Sequence, residues 1–275
     1  MPSGKQAKAA RRNARTAPPP VQSKGGPRRA RQASPRALAI GGGAIALIAV
    51  AVVLAVVLGG GKGSSGIPAG TPTIGSVDSG LPGAADVASQ YKGIPQTGTT
   101  LGWPFAPVTL TEYIDLQCPV CREYETTVFP DILSKYVRTK KVKIVVKPWA
   151  FIGPDSFKGQ DAMLAAALQN RAFNFAQVLY DNQGTENTGW LTDSMLAQIA
   201  ASVPGLNVPK LFADRKTATV KSQVSSVAAD VSANKVNETP TLFVGKSGTR
   251  GTHVLMNGGG DEAAVVKALD DALSS

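Results

Sequence analysis

The stretch VTLTEYIDLQCPVC, residues 108–121, decides the fold of this 275-residue chain. Its first half, Val108–Ile114, alternates in side-chain character as a strand does, with one largely apolar face. The residues that follow, 122–137, have the pattern of a helix. Cys118 and Cys121 therefore stand at a strand-to-helix junction, the usual setting of a dithiol that cycles between reduced and disulfide forms. They are the only cysteines in the chain.

The remaining pattern predicts an α/β domain. A short edge strand is expected within residues 91–101, and a buried strand follows the first helix, which should kink near Pro130. The other expected elements are a helix carrying the stripe Leu164, Leu168, Ala172, Phe175 and Leu179, a helix capped by Thr192 or Asp193, a helix at 220–231, strands at 241–244 and 252–256, and a helix starting at Asp261. The order β–β–α–β–(helices)–β–β–α is the thioredoxin arrangement, with a helical insertion at about residues 150–235.

Charge is concentrated at the N-terminus. The net charge is +10, yet residues 1–36 hold ten Lys or Arg and no acid, so basic and acidic residues balance in the remainder. A basic, Pro- and Ala-rich stretch without aromatics predicts a disordered cytoplasmic tail. The distribution argues against nucleic-acid binding by the domain.

The next 22 residues, 37–58, contain no charged side chain. As a helix they would be about 33 Å long, enough to cross a hydrocarbon core of roughly 30 Å. A cleaved signal peptide is the alternative, but the basic region before the stretch and the stretch itself are both longer than usual. The basic tail places the N-terminus in the cytoplasm by the positive-inside rule. We therefore expect a single-pass cell-membrane protein with a flexible Gly/Ser/Pro-rich linker at 59–88 and an extracytoplasmic domain at 89–275.

Two motifs carry a resemblance to a known family. The segment VTLTEYIDLQCPVCREYE resembles the active-site segment of DsbA-like proteins, the extracytoplasmic thiol–disulfide oxidoreductases of bacteria. The segment ETPTLFV, residues 238–244, resembles that family's cis-proline loop. The resemblance covers about residues 91–272 and implies a thioredoxin fold in which the Thr239–Pro240 bond is cis and faces the dithiol. There the loop would bind an extended substrate by strand addition. An ordinary trans proline is the alternative.

The resemblance assigns roles to the residues of the motif. Cys118 would be the exposed nucleophile. Helix N-terminal N–H groups favour its thiolate, which is the attacking form. Cys121 would resolve the mixed disulfide, and Pro119 suits the first position of a helix. Val120 departs from the family's Cys-Pro-His-Cys form, so we expect a less acidic Cys118 than in histidine-bearing relatives. Glu238 stands where a small residue is expected in the loop.

Glu112 lies six residues before Cys118 on the apolar strand face. A carboxyl group buried there should have a raised pKa. In the family an acid at this offset lies beneath the dithiol and helps to move the proton of the inner cysteine. A solvent-exposed edge position is the alternative for Glu112.

The expected function is that of a membrane-anchored enzyme exchanging disulfides with exported proteins, in the oxidising direction. The resemblance implies reoxidation by a quinone-linked membrane enzyme. We expect no bound cofactor besides the redox-active disulfide and no metal, since His253 is the single histidine and zinc needs four ligands. Two alternatives stay open: a reductase or isomerase of the same fold, and a tethered binding or chaperone module whose dithiol is incidental.

Overall fold

The computed structural model describes residues 66–275. The predicted tail (1–36), the predicted transmembrane helix (37–58) and the first residues of the predicted linker lie outside the described residues. Within 66–275, no helix is both long and apolar enough to cross a membrane.

Six strands form one sheet in the order β1-β2-β4-β3-β5-β6. Strands β3 and β4 are parallel and all other neighbours are antiparallel. Buried and half-buried residues alternate along β4, as the sequence predicts for a strand inside a sheet. The strands are β1 (Gln96–Thr97), β2 (Thr100–Leu101), β3 (Val108–Ile114), β4 (Val142–Pro148), β5 (Thr241–Lys246) and β6 (Thr252–Val254).

Helices cover the sheet and form the insertion. Helices α4 to α8 fall between β4 and β5, where the sequence predicts an insertion at 150–235, so the chain has a thioredoxin fold with a helical insertion. Thr192 caps α6 and Asp261 caps α9, both as predicted. The helices are α1 (Ala84–Tyr91), α2 (Pro119–Glu123), α3 (Phe129–Ile132), α4 (Pro154–Ala167), α5 (Ala172–Asp181), α6 (Asp193–Ala201), α7 (Val208–Asp214), α8 (Ala218–Asn234) and α9 (Glu262–Ser274).

The helical run 119–137 is irregular. Helices α2 and α3 alternate in it with two π-helical turns, Tyr124–Val128 and Leu133–Val137. Pro130 has no N–H to donate, and the first π-helical turn ends immediately before α3. The irregularity that the sequence predicts near Pro130 is therefore a change in hydrogen-bond spacing.

Strand β3 is buried on one face and partly covered on the other. Val108, Leu110 and Ile114 belong to the main core. On the opposite face, Tyr113 packs in a smaller cluster with Phe243 and three valines from α8 and the segment that follows it. The Tyr113 hydroxyl accepts a hydrogen bond from Asn234 Nδ2 at 3.0 Å, which ties β3 to the end of α8. The insertion thus covers one side of the central strand.

The single helix predicted for the stripe from Leu164 to Leu179 is wrong. Helix α4 ends at Ala167, Leu168 is partly exposed, and α5 begins at Ala172. Asn170 has a φ of 56°, a left-handed conformation that asparagine tolerates better than most residues and that ends a helix. The apolar spacing continued across this break by coincidence of register.

The predicted boundary between linker and domain at residue 89 is also wrong. Helix α1 begins at Ala84, and its Val87 and Tyr91 are buried in the core. Upstream of it, Gly75 N donates to Leu206 O and Ser76 N donates to Ala201 O, each at 2.8 Å. Residues 66–88 are rich in Gly, Ser and Pro, so their few buried apolar side chains leave no periodic signal.

Candidate active site

Cys118 caps the N-terminus of α2 at the end of the loop that follows β3. Its Sγ accepts a hydrogen bond from Cys121 N at 3.3 Å, and Pro119 occupies the first turn, where no N–H is needed. Both cysteines are free thiols. The sequence motif therefore folds as predicted, with the first sulfur at the positive end of a helix.

The pKa of the Cys118 thiol is lowered to about 6. The largest cause is a hydrogen bond from Cys121, with smaller contributions from Thr239 and from backbone N–H groups; burial opposes them. The side chain is less exposed than the sequence predicts. Cys118 is only 4% exposed because the loop around Thr239 covers it. It is still the more exposed of the two cysteines, since Cys121 is fully buried.

Cys121 has the opposite character. Burial is the main cause that raises its pKa well above that of an ordinary thiol, and the neighbouring Cys118 raises it further. At neutral pH the outer sulfur is thus a thiolate and the inner one a thiol. This difference suits a pair in which one sulfur attacks or leaves and the other resolves.

Titration of the reduced protein tests this assignment. Because hydrogen bonds to Cys118 favour its charged form, we expect thiolate absorbance, and the alkylation rate of Cys118, to rise with a midpoint near pH 6. A midpoint at the ordinary thiol value of 9.0 would contradict the geometry. A midpoint as low as roughly 3.5 would contradict the prediction that Val120 leaves Cys118 less acidic than a histidine would.

The loop before β5 lies against Cys118. The Thr239–Pro240 peptide bond is cis, as the resemblance implies, and Thr239 O lies 3.3 Å from Cys118 Sγ, where it accepts a hydrogen bond from the protonated thiol. Strand β5 runs antiparallel to β3, with Thr241 paired to Tyr113. The start of β5 and the end of β3 therefore lie side by side at the same end of the sheet. This brings the cysteine motif and the cis-proline loop together, although they are far apart in sequence.

Asp115 holds the loop between β3 and α2. Its Oδ1 accepts from Gln117 N, and its Oδ2 accepts from Phe151 N and Ile152 N, at 2.7 to 2.8 Å. Its carbonyl oxygen accepts from Cys118 N at 3.0 Å. The sequence reasoning did not single out Asp115, because its partners lie 36 and 37 residues away and no local pattern reveals them.

The insertion also contacts the loop. Gln183 Nε2 donates to Leu116 O at 3.0 Å and to Cys118 O at 3.3 Å. Gln117 Nε2 donates to Ser156 Oγ at 3.0 Å, and Gln117 Oε1 accepts from Asn187 N at 2.9 Å. The helical insertion therefore positions the backbone that carries the first cysteine.

Glu112 is fully buried, so the exposed alternative is excluded. Burial is the first cause that raises its pKa well above the ordinary value, and the nearby Glu125 is the second; Tyr124 opposes them. Among the described residues, neither carboxyl oxygen of Glu112 has a hydrogen-bond partner within ordinary geometry. Register pairs Glu112 with Val146 and Leu242, so its strand neighbours bring no cation.

Glu125 was missed by the sequence reasoning. It is 3% exposed, and burial raises its pKa to about 8. Glu125 follows Cys121 by four residues in a helical run, a spacing that puts two side chains on the same face. This four-residue spacing is visible in the sequence and could have identified Glu125. Glu112 and Glu125 are both buried and influence each other electrostatically, and we call them the acid pair.

A groove of about 260 Å³ adjoins the cysteines. It is lined by Val120, the loop 238–240 and residues 253–256 of β6 and the loop after it. Val120 is 38% exposed and Leu255 is 80% exposed. His253 lies on β6 with its ring 5.3 Å from that of Phe243, as an ordinary strand residue. Within residues 66–275, no three His, Cys, Asp or Glu side chains are grouped as a metal site.

Comparison with known proteins gives the family. The family model Thioredoxin_4, described as thioredoxin, matches residues 95–253. The chain is 30% identical over 151 residues to the probable disulfide bond formation protein D of Bacillus cereus, covering 54% of this chain and 70% of that protein. The chain belongs to the DsbA-like thiol–disulfide oxidoreductases.

Solved structures have the same fold. BdbD of Bacillus subtilis in its oxidised form superposes with a TM-score of 0.58 at 21% identity, covering 66% of this chain and 98% of that one. DsbA of Chlamydia trachomatis superposes with a TM-score of 0.52 at 20% identity, covering 63% of this chain and 90% of that one. As a member of the DsbA-like family, this protein is a protein thiol–disulfide oxidoreductase.

Proposed function

We propose that this protein is a membrane-anchored oxidase that introduces disulfides into exported proteins through Cys118 and Cys121. The observation that supports the oxidising direction is the Cys118 pKa of about 6. Groups that stabilise a thiolate stabilise the reduced enzyme, and a stabilised reduced form makes the disulfide a stronger oxidant. An extracytoplasmic location, proposed from the apolar segment 37–58 and the basic tail before it, favours the same direction.

The reaction proceeds by two exchanges. A substrate thiolate attacks Cys118 Sγ of the enzyme disulfide, the Cys118–Cys121 bond breaks, and Cys121 leaves as a thiolate that takes up a proton. A second substrate thiolate then attacks the substrate sulfur of the mixed disulfide. Cys118 leaves as a thiolate, the substrate gains a disulfide, and the enzyme holds the two electrons as a dithiol.

Each neighbouring group has a part in these steps. The low pKa of Cys118 makes it a good leaving group in the second exchange. Glu112 supplies the proton that Cys121 takes up, and its partner in the acid pair lies on the same helical run as Cys121. Thr239 and Pro240 bind the extended substrate segment beside Cys118. The enzyme needs no metal or organic cofactor, and a quinone-linked membrane reoxidase restores the disulfide.

The redox state of the cysteines in living cells tests the direction. Cells expressing the full chain are quenched with acid, and free thiols are alkylated with a reagent that adds mass. A reoxidase keeps an oxidase in its disulfide form. We therefore expect Cys118 and Cys121 to be mostly joined as a disulfide, which protects them from alkylation. A mostly alkylated pair would show a reductase or isomerase instead.

A further inference from the structure

Glu238 is an exposed acid on the loop before β5. It lines the groove beside Cys118 together with Thr239 and Pro240. Its backbone is held, because Glu238 O accepts a hydrogen bond from Thr241 Oγ1 at 2.7 Å. Within the part of the chain that the structure describes, Glu238 forms no ion pair. Glu238 therefore carries an acid without an ion-pair partner on the residue before Thr239, whose carbonyl oxygen contacts Cys118.

The rest of this groove combines apolar side chains with the polar Thr239 and His253. Val120, Pro240, Val254, Leu255 and Met256 line it, and Leu255 is the most exposed large apolar side chain among the described residues. Exposed apolar surface beside a reactive group is typical of a binding site. The groove thus offers an apolar wall and one negative charge to whatever segment reaches Cys118.

A second cavity, of about 560 Å³, lies on the other side of the turn. It includes Pro119, whereas the first groove includes Val120, so the two flank the residues between the cysteines. Three acids, Asp86, Glu123 and Asp181, line it with one cation, Arg122. The charge is thus negative on both sides of Cys118. Over the chain outside its N-terminal tail, by contrast, basic and acidic residues are equal in number.

We propose that Glu238 makes this enzyme select substrate segments in which the reacting cysteine lies near a lysine or arginine and an apolar side chain. This inference rests on the proposed function and names the class of its substrates. Opposite charge across a contact raises the encounter rate and suppresses wrong partners. A basic side chain would pair with Glu238 while its apolar neighbour covers Leu255 and Val120.

The test compares two short dithiol peptides that differ only in having lysines or glutamates beside the cysteines. The purified full chain in its disulfide form oxidises each peptide at low salt, and thiol loss is followed with time. Lysine also makes a neighbouring thiol more acidic, so each rate is divided by the rate of the same peptide with hydroxyethyl disulfide, a small neutral oxidant. The measured quantity is the corrected lysine-to-glutamate rate ratio.

The basic tail acts on the peptides equally in every variant, so we expect the ratio to fall by about two- to fivefold from wild type to Glu238→Gln, the range expected for an exposed ion pair. Asp271→Asn is the matched control. It also removes an exposed negative charge, but Asp271 lines a cavity with Lys246 at the other end of β5 and should leave the ratio unchanged.

A ratio that Glu238→Gln leaves at the wild-type value, or changes no more than Asp271→Asn does, would overturn the inference. A third peptide carries glutamines in these positions. If the enzyme oxidised none of the three peptides, that result would instead contradict the proposed oxidase function on which the inference rests.

Discussion

A Cys118→Ser variant of the full chain is expected to lose thiol–disulfide exchange by at least about 10³-fold, to the background rate. Serine cannot form the disulfide, and its hydroxyl is far weaker as a nucleophile and as a leaving group than a thiol with a pKa of about 6. The measurement is the rate at which the purified chain oxidises a reduced, unfolded substrate protein.

The fold of this variant should survive. Serine is itself a favoured N-cap residue, so it can accept the hydrogen bond that Cys121 N now donates to sulfur. Thermal unfolding of the reduced proteins checks this. If Cys118→Ser kept full activity in cells, the dithiol would be incidental and the protein would be a tethered binding module.

A Glu125→Gln variant is expected to have a larger free energy of unfolding than the wild type at pH 7 to 8. Burial raises the pKa of Glu125 from 4.5 to about 8 in the folded protein. The folded state thus holds a proton that the unfolded state releases, so stability falls as pH rises from about 4.5 to about 8. At about 1.4 kcal/mol per pKa unit, this loss is on the order of 3 kcal/mol at pH 7. A neutral amide removes it.

Urea unfolding of the reduced proteins at pH 5 and pH 8 measures this effect. We expect the wild type to lose stability between these values and Glu125→Gln to lose less, with a gain of roughly 1–3 kcal/mol at pH 8. Glu186→Gln, the same change at an exposed site, is the control and should leave the slope unchanged. A Glu125→Gln variant that was less stable at pH 8, or had the wild-type slope, would contradict the buried acid pair.

Glu112→Gln separates stability from chemistry. It removes the other half of the acid pair and should flatten the pH dependence of stability in the same way. Because Glu112 is proposed to supply the proton of Cys121, this variant should also slow exchange by at least about tenfold, while Glu125→Gln keeps the larger share of the rate. An unchanged rate in Glu112→Gln would leave that residue without a catalytic part.

The sequence predicts the features that depend on local chemistry. Cys118 caps a helix, as its place at a strand-to-helix junction predicts. The cis bond at Thr239–Pro240 was predicted from the family resemblance of its loop, and the structure has it. The burial of Glu112 follows from strand alternation. Glu125 could also have been predicted from the sequence, since counting one helical turn from Cys121 places it on the same helix face.

Other features depend on contacts distant in sequence. Asp115 clamps the segment at Phe151 and Ile152 through backbone N–H groups, which carry no side-chain signal. Gln183 reaches Cys118 O from the helical insertion, 65 residues away. The packing of residues 66–88 depends on a few apolar side chains among glycines and prolines. Periodicity cannot reveal contacts of these kinds, because they have no repeat.

A Cys121→Ser variant expressed in cells tests most directly whether Cys118 exchanges disulfides with exported proteins. Without the inner thiol, mixed disulfides formed through Cys118 cannot resolve and should accumulate as adducts that a reductant separates into this chain and exported proteins. The chain has no other cysteine, so the Cys118→Ser/Cys121→Ser double variant is a complete control and should form none. Reducible adducts with exported proteins in the single variant alone are the predicted result; the absence of adducts in the single variant would contradict it.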